Sequence, residues 1–304
     1  MYINDIRLNL LYFIYLAKIT LLTVICVTVQ SVSAAGASNE KDKDKTIYSY
    51  GPGVHYIDSL VLDKKHSVVE GVAPGATILK VKKGIHFKAA NPVIRNLTIV
   101  GEGDGIGILL ENTWTARIQD VEVENYKTGI KFELTGHGRE VAGGKTMNLW
   151  PGALTSGQWG SRTTLSELRN VEITGPGNGI VFENKLKTST KKNYWKPTND
   201  RKAGEFINAT TIWGGHIGVR GKAVVIGDGV YATKMFGTYI DVSAAGGIFM
   251  EYGARGLLLV GVALDLNSAA RKVKAERLVV PKRAKKSVTL LGVSPKKFDI
   301  KYFK

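Results

Sequence analysis

GIHFKAANPVIRNLTIVGEGDGIGILLENTWTARIQDVEVENYKTGIKFE, residues 84–133, carries one short pattern three times. Glycine, isoleucine, any residue and then a large apolar residue occur at Gly84–Phe87 (GIHF), Gly107–Leu110 (GILL) and Gly129–Phe132 (GIKF). Outward from this stretch the pattern returns at Gly179–Phe182 (GIVF) and Gly247–Met250 (GIFM), with a weaker copy at Gly218–Arg220 (GVR). The first two spacings are 23 and 22 residues; the third is 50, which is two turns or one turn plus an insertion of about 28. A second pattern lies between the copies: IRNLTI at 94–99, IQDVEV at 118–123, LRNVEI at 168–173 and, more loosely, INATTIW at 207–213. Each alternates apolar and polar residues with the period of two that a half-buried strand requires.

A repeat of this length, with short strands, glycine-marked corners and no helical periodicity, is a β-solenoid. One coil cannot bury its own apolar face, so coils stack and share a continuous core. Leucine-rich repeats have a similar period, but their L-x-x-L-x-L-x-x-N frame is missing. Asn96, Asp120 and Asn170 recur at one position of the coil, which predicts an inward corner whose polar side chains satisfy the bend. The expected architecture is all-β: a single-stranded parallel β-helix over 47–270, with coils of about 22–24 residues. Insertions at 136–163 and 185–204 interrupt it.

Composition agrees with this class. The 304 residues are 44% hydrophobic and 22% charged, which suits a folded domain and excludes a multi-span membrane protein. The 35 glycines suit many tight turns, and the single cysteine, Cys26, rules out a disulfide within the chain. The net charge is +16, but residues 185–202 hold seven basic groups and one acid, and 271–304 hold twelve and two. The remainder balances at 23 of each sign. A neutral body with two cationic patches argues against a nucleic-acid coat and for local contact with an anionic partner.

The first 34 residues read as a signal peptide. Residues 19–29 (ITLLTVICVTV) are an apolar run after Lys18, too short for a comfortable membrane span, and Val32 and Ala34 supply the small side chains of a cleavage site. The upstream run 8–16 leaves an uncleaved N-terminal anchor as the alternative, the one route by which a membrane enters. Residues 35–46 form a charged linker, and 271–304 a basic cap or tail. An exported, extracellular protein is expected, with a cell-surface or virion-associated location as the alternative.

The segment PGVHYIDSLVLDKKHSVVEGVAPGATILKV at 52–81 resembles the first coil of pectate-lyase-like right-handed β-helices, a superfamily of polysaccharide lyases, glycoside hydrolases and phage tailspike depolymerases. The GIxFE copies at Gly129–Leu134 and Gly179–Asn184 are similar to its later coils. The resemblance implies a right-handed helix that binds or cleaves an acidic polysaccharide, a homotrimer as the assembly, and calcium as the family's metal. The motifs that would fix a reaction do not carry over. Gly136-His137-Gly138 matches one polygalacturonase element, but Asn112-Thr113 is followed by Trp114 where an aspartate is needed. The calcium aspartates and W-I-D-H of pectate lyases are absent, so no cofactor is expected from the chain itself. His55, His66 and His86 make no metal constellation, and Gly101–Gly107 reads as a turn because no helix follows it.

Stacking coils in register puts the roots of both insertions at one corner. Trp150, Trp159, Tyr194 and Trp195 are then expected beside Lys191, Lys192 and Lys196, a polysaccharide groove of apolar ring faces and cations. Glu111, Glu133, Glu183 and Glu251 fall in one column, with Glu133 and Glu183 nearest. Repulsion between stacked carboxylates raises one pKa, which is how an acid/base pair arises. Catalytic candidates are therefore Glu133 and Glu183, with His137, Arg139 and Lys145 on the first insertion as base and charge-stabilising groups. Ordinary coil-end chemistry and loop packing stand as the structural alternatives. Glu122 and Glu172 form a second stacked pair on another face, and His216 reads as a corner residue. Lyase, hydrolase and binding only, as in an adhesin or virion protein, all stay open.

Overall fold

In the computed structural model of the chain, residues 41–42, 45–135, 162–185, 206–295 and 300–304 are described. Residues 1–34, expected as a signal peptide, lie outside them. Each GIxF copy is a strand of one nine-stranded, all-parallel sheet: Leu60–Leu62, Ile85–Phe87, Ile106–Glu111, Thr128–Leu134, Asn178–Asn184, Val224–Ile226, Ile248–Met250, Leu278–Pro281 and Ile300–Phe303. The second pattern forms a larger sheet of 17 strands. Its long strands, Val93–Val100, Arg117–Glu124 and Glu167–Gly175, bend in the middle and so supply two further faces. The chain is a parallel β-helix.

The bend explains the Asn column. Asn96, Asp120 and Asn170 have φ of 58°, 51° and 50°, a left-handed conformation that Asn and Asp adopt more readily than most residues. Their side chains do not point inward. They lie at the surface, where the Asn170 Nδ2 donates to Asp120 Oδ1 at 2.8 Å. Inward-facing neighbours instead carry the core: Leu79, Ile99, Val123, Ile173, Ile217, Ile240 and Leu264 are in register through seven rungs. All of them are essentially fully buried. Each such aliphatic side chain contributes roughly 1.5–3 kcal/mol relative to exposure. On the opposite wall Phe132 and Phe182 stack at 4.8 Å with planes 17° apart.

Glycine opens the GIxF motif because coils approach too closely for a side chain. A Cβ on Gly129 would fall 2.3 Å from Ile173 Cγ2, and one on Gly179 2.4 Å from the Ala223 carbonyl oxygen. The weak copy GVR belongs elsewhere: His216–Val219 lies in the larger sheet, and Ala223 precedes that coil's true rung, Val224–Ile226. INATTIW is likewise out of frame, since Ile212, not Ile207, pairs with Leu168. Gly214 and Gly215 replace the Asn at this corner, with φ of 60° and 77°, so the polar marker disappears while the bend persists.

Both ends carry strands. Part of the charged linker is ordered into strands, with Lys41–Asp42 pairing antiparallel to Lys45–Ser49. The basic tail extends the stack. After a six-residue helix, Ser268–Val273, its apolar segments Leu278–Pro281, Val288–Leu291 and Ile300–Phe303 continue the two sheets as further rungs. Alternation decides this: Leu278 and Val280 enter the core while the lysines stay outside.

Candidate functional site

The 50-residue spacing is one coil plus an insertion, because Glu133 pairs directly with Glu183. Glu111 lies one rung below Glu133. Glu251 is separated from Glu183 by the rung that carries Gly227, and its Oε2 accepts from the Asp228 amide at 3.1 Å. Lys131 precedes Glu133 by two positions, so it faces the same way on the strand. Its Nζ lies 2.6 Å from Glu133 Oε1 and 2.5 Å from Glu183 Oε2. Lys185 Nζ adds a second contact to Glu133 Oε1 at 2.6 Å. Glu111 turns the other way, receiving the Thr135 hydroxyl at 3.0 Å and meeting His86 Nε2 at 2.8 Å.

These contacts set the charges. Burial alone would raise the Glu133 pKa, but hydrogen bonds from Lys131 and Lys185 outweigh it and hold the carboxyl below its ordinary range. Burial would lower Lys131, yet Glu133 and Glu183 hold it above the usual lysine value. Burial lowers His86 against the opposing pull of Glu111. The two carboxylates expected to share a proton share an ammonium instead. Lysine interleaved in the column removes the repulsion that would have raised one of them.

The insertions leave from adjacent rungs of this same sheet. Leu134 pairs with Asn184 at their exits, and Arg162 pairs with Phe206 at their returns. His137, Arg139, Lys145, Trp150, Trp159, Lys191, Lys192, Tyr194, Trp195 and Lys196 lie outside the described residues.

A third face gathers groups that the sequence reading did not join. Two outward columns run along it in register. One is Thr98, Glu122, Glu172, His216 and Tyr239; the other is Glu124, Thr174, Gly218, Asp241 and Asp265. His216 Nε2 is 3.1 Å from Asp241 Oδ2, and the His216 and Tyr239 rings are 5.3 Å apart, tilted at 53°. The anionic Asp241 raises the Tyr239 pKa first, and the hydroxyl also hydrogen-bonds to Asp265 and Asp241. The Thr98 hydroxyl donates to Glu122 at 2.7 Å, and Glu122 pairs in register with Glu172. Across the Gly214–Gly215 corner, Trp213 stacks on Phe236 with centroids 4.2 Å apart and planes at 15°. Trp213 and Tyr239 are each 41% exposed. The signal was present as spacing: His216 and Tyr239 are 23 residues apart, as are Gly218 and Asp241. It was hidden because glycine replaces the asparagine that marks the frame in earlier coils.

Among the described residues no group of three or more His, Cys, Asp or Glu side chains is placed to hold a metal ion. The calcium implied by the resemblance therefore finds no ligand set there. Among the same residues no helix is long and apolar enough to cross a membrane.

No family model matches the chain, and no curated protein matches it. Among solved structures it is similar to ORF18 of Geobacillus virus E2, at 10% identity and a TM-score of 0.38. The match covers 86% of this chain and 54% of that one, so this chain spans about half of that protein's length.

Proposed function

We propose that this β-helix binds an acidic polysaccharide at the corner from which its two insertions leave, and that this corner binds the polymer without cleaving it. The observation that carries the reading is the pairing of Leu134 with Asn184 and of Arg162 with Phe206, which roots both insertions side by side. The insertions carry Trp150, Trp159, Tyr194 and Trp195 along with Lys191, Lys192 and Lys196. Aromatic faces pack on sugar rings, and ammonium groups pair with carboxylates or sulfates. The resemblance to pectate-lyase-like helices points the same way.

The charge state at the root favours binding over cleavage. A glycosidase needs one protonated carboxyl as general acid, whereas Glu133 is held ionised by two lysines. As a base it is poor for the same reason, since two ammonium groups on Oε1 lower its proton affinity. A surface or virion protein that uses the helix as a binding scaffold fits this arrangement.

Pectate, alginate, heparin, hyaluronate and chondroitin sulfate are titrated against the full chain by calorimetry. Unsaturated uronate absorbance and reducing ends are followed in parallel. At least one polymer is expected to bind in a salt-sensitive manner, with no product. The double variant Trp150→Ala/Trp195→Ala should weaken that binding at least tenfold. Unchanged affinity removes the groove, and product formation that is abolished by Glu133→Gln replaces binding with catalysis.

A further inference from the structure

We infer that Arg283, stacked on Tyr252, is a subsite for one carboxylate or sulfate of the acidic polymer, on the same edge of the helix as the two insertions. The inference rests on the reading of the insertion corner above and extends it to residues outside the insertions. Register places the subsite there. The second insertion leaves after Asn184, where the chain passes from the nine-stranded sheet to the next strand. Residues 227–229 make the same passage one coil later, 251–254 make it in the coil after that, and Lys282–Ser287 in the next. At a rung spacing of about 4.8 Å, Tyr252 and Arg283 stand roughly 10 and 14 Å along the axis from that exit.

Arg283 is oriented before any ligand arrives. Its Nε donates to the Tyr252 carbonyl oxygen, and its Cζ lies 3.3 Å from the centroid of the Tyr252 ring. Among the described residues no carboxylate pairs with Arg283, and neither of its Nη groups has a hydrogen-bond partner. A guanidinium fixed through Nε and one face keeps its Nη edge for an oxyanion. It also has little side-chain freedom left to lose on binding, unlike an untethered surface arginine. Tyr252 stays 42% exposed with Arg283 over its ring, so aromatic surface remains for the apolar face of a sugar.

The surrounding charges favour an anion. Arg255 stands close enough that Arg283 lowers its pKa, second to burial, against the opposing effect of Tyr231. Tyr231 is the register partner of Arg255 on the rung below. Lys282 and Lys286 flank Arg283 in sequence, and Lys304 follows Phe303, the register partner of Pro281; all three lysines are exposed. Lys285 turns to the Tyr302 ring, 5.3 Å from its centroid. The acids at this turn are Asp228 and Glu251. Asp228 Oδ1 accepts from the Gly253 amide, and Glu251 Oε2 accepts from the Asp228 amide at 3.1 Å, so each carboxylate is engaged by backbone. Arg255, Lys282, Arg283, Lys286 and Lys304 therefore outnumber the two acids. An oxyanion beside both guanidiniums relieves their repulsion.

The full chain is titrated by calorimetry with pectate, alginate and hyaluronate as carboxylate probes, and with heparin and chondroitin sulfate as sulfated ones. For the polymer that binds, Arg283→Gln should weaken affinity at least fivefold and reduce its salt dependence. Arg283→Lys should not restore it, because an ammonium lacks the fork. Full rescue by lysine overturns the inference, since diffuse charge would then suffice. Unchanged affinity in Arg283→Gln, with binding still weakened by Trp150→Ala/Trp195→Ala, overturns the subsite and leaves the insertion corner standing. Loss in Arg283→Gln with none in the tryptophan pair does the reverse. Absence of binding by all five polymers overturns both. Should Arg283→Gln fail to fold, Tyr252→Leu, which removes the ring that orients the fork, carries the test with the same expected loss.

Discussion

Two outward faces of this helix carry stacked acids, and they treat them oppositely. On the nine-stranded sheet Glu133 and Glu183 are bridged by Lys131, with Lys185 as a second partner for Glu133. On the third face Asp241 and Asp265 are neighbours with a tyrosine hydroxyl and an imidazole, and among the described residues no ammonium bridges them. Parallel in-register stacking places like beside like, so any repeated acid becomes a column of like charge. Where the column is buried, a cation must enter it, because an uncompensated buried charge is expensive. Where it is exposed, water screens the repulsion and the acids remain available to a ligand. The first arrangement serves stability and the second leaves hydrogen-bonding capacity at the surface.

The largest expected effect breaks the first arrangement. Lys131→Met removes the shared ammonium from side chains that are only 16% and 8% exposed, and should destabilise the fold by about 3 kcal/mol. Denaturant midpoints at neutral pH measure it. A change below about 1 kcal/mol would show that this column behaves like a surface pair.

The second prediction concerns pH. Glu133 titrates below its unfolded value in the folded protein, so its contribution is present above that value, about 4.3, and is lost as pH falls through the folded pKa. Lys131 titrates above its unfolded value, so its contribution is present below about 10.4 and is lost as pH rises through the folded pKa. The cluster therefore stabilises across the window between the two. Glu133→Gln should flatten the acid limb of the stability profile relative to the parent, and an unaltered limb would remove Glu133 from that role.

The smallest effect belongs to the exposed column. Asp241→Asn, at a carboxylate 38% exposed, should change stability by no more than about 0.5 kcal/mol.

Much of this was legible in the residues. The GIxF and IRNLTI patterns placed strands, rungs and insertion roots, because a period of 22–24 residues admits few ways to bury an apolar face. The pairing of Glu133 with Glu183 followed from that register. The meaning of the pair did not, since Lys131 was visible as a residue but not as a bridge between coils. The apolar segments of the tail were legible as strands, but not their rungs, in which Leu278 and Val280 enter the core. The Trp213–His216 corner escaped because the repeat was tracked by asparagine, and glycine makes the same bend without a side chain.

By itself the sequence determined the class of fold, the stacking order of its coils and the neutrality of its body. These follow from local periodicity and composition, which act over one coil at a time. Only the tertiary structure decided which acids are neutralised, which remain at the surface, and that Trp213, His216, Tyr239 and Asp265 share one corner. Apart from Lys131 with Glu133, those outcomes depend on contacts between residues some 23 to 52 positions apart. Such contacts exist only once the coils are stacked, so no single coil contains them.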